Sequence, residues 1–102
     1  MASRLELQRK LEDILGSKNV YYQPPENLKL RYPCIIYEQY TDYDPHANNL
    51  TYLYMVGYQV TLIDRNPDSE FKLKLKNEIQ YCRWSRHFVN DNLNHDVYIV
   101  YY

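Results

Sequence analysis

The apolar residues near the start of the chain recur every three to four positions, which is the pattern of an amphipathic helix. The positions are Leu7, Leu11, Ile14 and Leu15. Ser3 and Glu6 form a capping box in front of them. Gly16 follows the last apolar residue, where a left-handed C-cap is expected. This stretch therefore predicts a helix from Ser3 to Leu15.

A second helical pattern lies in the later half of the chain. Phe71, Leu75 and Ile79 repeat every four residues. Asn66 is a good N-cap residue, and Pro67 suits the first helical position because its missing N–H has no partner there. We predict a second helix from Pro67 to Gln80.

Alternation between the two faces predicts five β-strands elsewhere. Their predicted ranges are 20–22, 34–40, 52–64, 81–89 and 93–102. A long loop, 41–51, joins the second and third strands, and surplus loop length in a small domain is often functional. The order of elements predicts an α+β fold, in which two helices pack on one face of a mostly antiparallel sheet.

Length and composition narrow the function classes. A chain of 102 residues predicts a single domain, 1–102. Two glycines are too few for a P-loop or a dinucleotide-binding loop. No apolar run approaches the ~18 residues of a membrane span, and the charged N-terminal pattern does not suggest a signal peptide.

The sequence shows no pattern of catalytic or metal-binding residues. Ser85 and His87 lack the glycine loop that supports an oxyanion hole. Cys82 and His87 are five residues apart, which predicts opposite faces of an extended strand. We expect no enzyme activity, no cofactor and no metal site, and we expect Cys34 and Cys82 to be reduced, buried thiols.

The charges are unevenly distributed, although the formal net charge is only −1. Residues 33–64 carry four acids and no Lys or Arg, whereas residues 65–86 carry six bases and three acids. Opposite poles favour head-to-tail association, which gives a ring if the rotation closes. The 13 tyrosines also favour subunit contacts. The candidate interface residues are Asp42, Tyr43, Asp44, His46, Asn48, Asn49, Arg65, Lys72, Lys74, Lys76, Arg83 and Arg86.

A second interpretation is single-stranded nucleic-acid binding. Arg83, Trp84, Arg86 and Phe88 interleave basic and aromatic residues as single-strand binders do. The near-neutral net charge disfavours this interpretation and any sequence-specific nucleic-acid partner.

Several segments together resemble one family of proteins. They are Tyr32 to Tyr37 (YPCIIY), Ala47 to Asn49, Asp64 to Ser69 (DRNPDS) and Asn90 to Asp96 (NDNLNHD). In these segments, and over nearly the whole chain, the sequence is similar to tail terminator or tail-completion proteins of long-tailed bacteriophages.

The resemblance implies an α+β virion protein that forms a hexameric ring. Such a ring would end the tail tube at its head-proximal end and join it to the head, and the chain would be made in the host cytoplasm. Its partners would be further copies of itself, the tail tube protein and the head–tail connector protein. A connector ring one layer above is the alternative within this class. The resemblance implies no catalytic residue.

Overall fold

The computed structural model describes residues 4–41 and 56–102, and two helices and five strands lie within them. The helices are α1 (Arg4–Leu15) and α2 (Glu70–Glu78). The strands are β1 (Val20–Tyr22), β2 (Cys34–Thr41), β3 (Gly57–Asp64), β4 (Tyr81–Asn90) and β5 (Leu93–Tyr101). The predicted α+β fold is confirmed.

The five strands form one sheet in the order β1-β2-β3-β5-β4. β1 is parallel to β2, and the other neighbours are antiparallel. Because β5 is antiparallel to both β3 and β4, these two strands run parallel, and α2 is the crossover between them. β4 ends this order and is therefore an edge strand, because β5 is its only neighbour among the described strands.

Both helices cover the same face of the sheet. The four predicted apolar residues of α1 are all buried, and they form one cluster with Leu75 and Ile79. Ile35, Val60 and Val100 complete that cluster from the sheet. The predicted core face of α1 is therefore confirmed. Gly16 ends α1 with a φ of 73°, a left-handed conformation that favours glycine, and its N–H bonds the carbonyl of Glu12.

Three tyrosines take the place of aliphatic residues in this core. Tyr37, Tyr58 and Tyr98 are buried. A buried hydroxyl needs a partner, and the Tyr37 hydroxyl has two: it accepts from Arg4 Nη1 at 3.0 Å and donates to Gln8 Oε1. These two bonds tie the first turns of α1 to the centre of β2.

Helix α2 is shorter than predicted at both ends. Its N-cap is Ser69, whose hydroxyl accepts from the Phe71 amide at 3.4 Å. The predicted cap, Asn66, instead accepts from the Asp68 amide and forms a turn before the helix. At the other end Ile79 is already extended, because the chain turns there into β4.

The third strand begins at Gly57 within the described residues, whereas the sequence predicted a start at Tyr52. Tyr52 itself, most of the predicted 41–51 loop and Ser3 lie outside the described residues. No helix in residues 4–41 or 56–102 is long and apolar enough to cross a membrane.

The two cysteines are free thiols in the structure. Cys34 pairs with Ile63 on the face away from the helices, and Cys82 pairs with Val100 on the helix face. Their strands are three spacings apart, roughly 14 Å, which is too far for a disulfide. Burial raises the pKa of Cys34 to about 12 and that of Cys82 to about 11, so both thiols stay protonated near neutral pH.

The packing of α2 predicts a large difference between two neighbouring leucines. Leu75 is 0% exposed and Leu73 is 67% exposed. Leu75→Ala should lower the free energy of unfolding by about 2–5 kcal/mol, because it leaves a cavity between helix and sheet. The matched control Leu73→Ala should change it by no more than about 0.5 kcal/mol. Urea unfolding followed by circular dichroism measures both, and equal losses would contradict the assigned face of α2.

Candidate assembly surface at helix α2 and strand β4

An open groove of about 400 Å³ runs between α2 and the sheet. Its lining residues are Asp68, Ser69, Lys72, Leu73, Lys76, Trp84 and Tyr98. Two lysines, four residues apart, lie on the flank of α2 that faces β4. The floor is aromatic, because Trp84 and Tyr98 are paired residues of β4 and β5. The groove therefore places two lysines and the carboxylate of Asp68 beside exposed aromatic surface.

A buried carboxylate lies beneath this groove. Asp96 of β5 is 3% exposed. Its Oδ1 lies 3.0 Å from His87 Nδ1 and accepts from Trp84 Nε1 at 3.4 Å, while its Oδ2 lies 3.6 Å from Lys72 Nζ. A buried charge is tolerated only when it is paired and hydrogen-bonded. Asp96 therefore connects α2, through Lys72, to the edge strand, through His87 and Trp84.

A bulge in β4 brings these partners onto one face. The register shifts between Trp84, which pairs with Tyr98, and Arg86, which pairs with Val97. The extra residue restarts the alternation, so His87 lies on the same face as Cys82. The sequence prediction that these two residues lie on opposite faces is wrong for this reason. Even so, the described parts of the chain contain no group of three residues that could hold a metal ion.

The edge strand β4 exposes large apolar side chains along its length. Trp84 is 49% exposed, Phe88 41% and Val89 60%. Phe88 stacks on His95 of β5, with ring centroids 4.6 Å apart. A ten-residue edge strand offers backbone groups to another chain, and exposed aromatics at such an edge favour protein contact.

The structure distributes the basic candidate residues over two faces. Lys72 and Lys76 line the groove, whereas Arg83 and Arg86 lie on the opposite face of the sheet and are exposed. The Lys74 ammonium lies 5.6 Å from the ring centroid of Phe71, outside the groove.

Arg65 is exposed just after β3, and its carbonyl accepts from Asn94 Nδ2 at 3.2 Å. The remaining six candidates lie outside the described residues, and they are Asp42, Tyr43, Asp44, His46, Asn48 and Asn49.

The four residues of the nucleic-acid interpretation do not share a face. Arg83, Arg86 and Phe88 lie on the side away from the helices, and Trp84 lies on the helix side next to Asp96. A strand laid along either face would therefore meet only part of the predicted set.

Sequence reasoning missed Asp96 and its contact with His87. The available signal was position: Asp96 shares the alternation of Tyr98 and Val100, two core residues of β5. An acid at an inward position of an apolar strand indicates a buried, partnered carboxylate. The bulge, which decides what lies opposite Asp96, has no comparable sequence signal.

The network around Asp96 predicts a stability loss that a surface acid would not show. Asp96→Asn removes the charge and places an amide NH₂ among three donors, so the free energy of unfolding should fall by about 2 kcal/mol. The matched control is Asp91→Asn in the exposed β4–β5 turn, which should change little because Asn tolerates the φ of 52° found there. Chemical unfolding measures both, and equal effects would contradict the paired role of Asp96.

The buried Tyr98 predicts alkaline instability. Burial, reinforced by the nearby Asp96 charge, raises the pKa of Tyr98 from 10.0 to about 12. The unfolded chain therefore loses this proton first, and the free energy of unfolding should fall as the pH rises from about 10 to about 12. Tyr98→Phe should make the fall shallower in unfolding curves measured across this range. An unchanged slope would contradict the assigned cause.

Comparisons of this chain with known proteins found no match. No family model, no curated protein and no solved structure matches the chain. Any function of this chain therefore has to be inferred from its own residues and surface.

Proposed function

We propose that this protein is a structural virion subunit without enzyme activity. It forms a homo-oligomeric ring, a hexamer, at the head-proximal end of a phage tail. Its partners are other copies of itself, the tail tube protein and the head–tail connector protein.

The observation that carries the proposal is the edge strand β4 with the groove beside it. Trp84, Phe88 and Val89 expose apolar surface along an edge of the sheet. A monomer gains nothing from this exposure, whereas a subunit interface buries it and pairs the edge backbone. The bulge and the adjacent arginines disfavour pairing of this edge with an identical edge, since like charges would then meet.

The charge distribution supports a ring over a symmetric dimer. The sequence carries six bases and three acids in residues 65–86 but four acids and no Lys or Arg in residues 33–64, so the two signs of charge come from different parts of the chain. Contact between two different surfaces is heterologous, and a heterologous contact closes into a ring when its rotation divides a full turn.

The mechanism is geometric. One rim of the ring matches the last ring of the tail tube, and the other rim does not repeat the tube surface. Tube growth stops because no further tube subunit finds a matching surface. The second rim then provides the contact for the head connector.

The proposal predicts the mass and shape of the particle. Light scattering behind size exclusion, over a concentration series, should show species near six times the 12.5 kDa subunit mass. Electron microscopy of the same fractions should show rings. Phe88→Ala should raise the concentration needed for assembly by about tenfold, because it removes an aromatic anchor.

Leu28→Ala is the matched control, because Leu28 is also 41% exposed and lies away from β4. It should assemble as the wild type does. A monomer at every concentration, or a closed dimer, would contradict the self-assembling ring.

A further inference from the structure

We infer that β4 of one copy of this chain pairs with residues 38–41 of β2 in the next copy, so that the sheet continues from subunit to subunit. The inference rests on the proposed function, because it names the contact that joins one ring subunit to the next.

Strand β1 covers only the first half of β2. Its three residues pair with residues 35–37. The chain then turns away, because Gln23 has a φ of 45° and the two prolines that follow it cannot donate to a sheet. Among the described strands, residues 38–41 therefore have a neighbour on the β3 side only. We call these four residues the open half of β2.

The backbone of Gln39 offers a donor and an acceptor at this open half. The Ile35 N–H bonds the carbonyl of Asn19, and the Tyr37 carbonyl accepts from the Gln23 N–H. Both β2 residues thus turn their backbone groups toward β1, and Gln39, two residues further on, turns the same way. Gln39 is exposed, and its backbone has no partner on that side within the described residues. An incoming strand can pair with these groups.

The directions of the two edges fit each other. β2, β3, β5 and β4 are antiparallel neighbours in turn, so β4 runs antiparallel to β2. A second copy placed beside the first, with its helices on the same side, therefore brings β2 antiparallel to β4, which is the commoner pairing. Because the two edges are different surfaces, the contact is heterologous, as a ring requires.

The open half of β2 carries negative charge. Glu38 is exposed, and it accepts a hydrogen bond from Gln59, a neutral side chain. A hollow on this side of β2 has Glu26 and Glu38 but no Lys or Arg among its described lining residues. Lys29 and Arg31 follow Glu26 in the chain, but they do not line the hollow and form no ion pair with either acid.

Strand β4 carries the opposite charge on the same face of the sheet. One row of paired residues crosses the sheet on the face away from the helices: Glu38, Gln59, Ile99 and Arg83. Arg86 lies on this face too, and both arginines are exposed. No carboxylate within residues 4–41 or 56–102 forms an ion pair with them. Continuing the row into the next copy brings its Glu38 beside Arg83.

The first test removes one backbone donor from the open half of β2. Gln39→Pro should raise the concentration needed for assembly by about tenfold or more, because proline cannot donate to the incoming strand. The monomer should keep its fold, since proline is tolerated where the N–H of an edge points outward. Gln39→Ala is the matched control: it removes the same side chain, keeps the N–H and should assemble as the wild type does.

The second test exchanges charges between two different chains. Glu38→Lys and Arg83→Glu should each assemble poorly alone, because like charges then meet at every contact. An equimolar mixture of the two should assemble again, because alternating subunits pair opposite charges. Asp13→Lys and Arg9→Glu are the matched controls, since they make the same charge changes at exposed positions of α1 and should assemble normally. Circular dichroism confirms that each variant is folded.

The outcomes separate this inference from the proposed function. Wild-type rings with a folded and unaffected Gln39→Pro variant would overturn the inference and leave the ring intact. If Gln39→Pro does not fold, the charge exchange decides: a mixture that stays unassembled while the wild type forms rings would overturn the inference. A wild type that never assembles would overturn both.

Discussion

The Asp96 carboxylate is the interaction on which the candidate surface depends. It lies in the interior between sheet and helix, where an unpaired charge would cost several kcal/mol. Its stability requires His87 and Trp84 from the edge strand and Lys72 from α2. These contacts set the distance between α2 and β4. They therefore determine the width of the groove and hold Trp84 at its floor.

The bulge at Ser85 makes this arrangement possible. A regular strand would send His87 to the far side of the sheet, and Asp96 would lose its closest partner. The bulge also bends the edge, which reduces its match to a flat edge of another copy. One local irregularity thus supports the buried network and restricts the ways in which the edge strand can pair.

The basic residues form two patches with different surroundings. Lys72 and Lys76 lie beside aromatic surface in a groove, whereas Arg83 and Arg86 are exposed on the opposite side of the sheet. A ring subunit must contact its neighbours and also the layers above and below it. Two separate patches are compatible with such a division, although the linear sequence presents them as one basic region.

The sequence alone determined the fold class, the core face of α1 and the existence of all five strands, because these follow from local periodicity and residue type. It overestimated α2 at both ends, since Ser69 and Asn66 are both competent caps and the packing of Leu75 and Ile79 against the sheet selects between them. The tertiary structure alone decided the faces of β4 and the partners of Asp96. A bulge depends on pairing between strands, and the donors around Asp96 come from other elements, so neither the bulge nor these partners is encoded in the spacing of nearby residues.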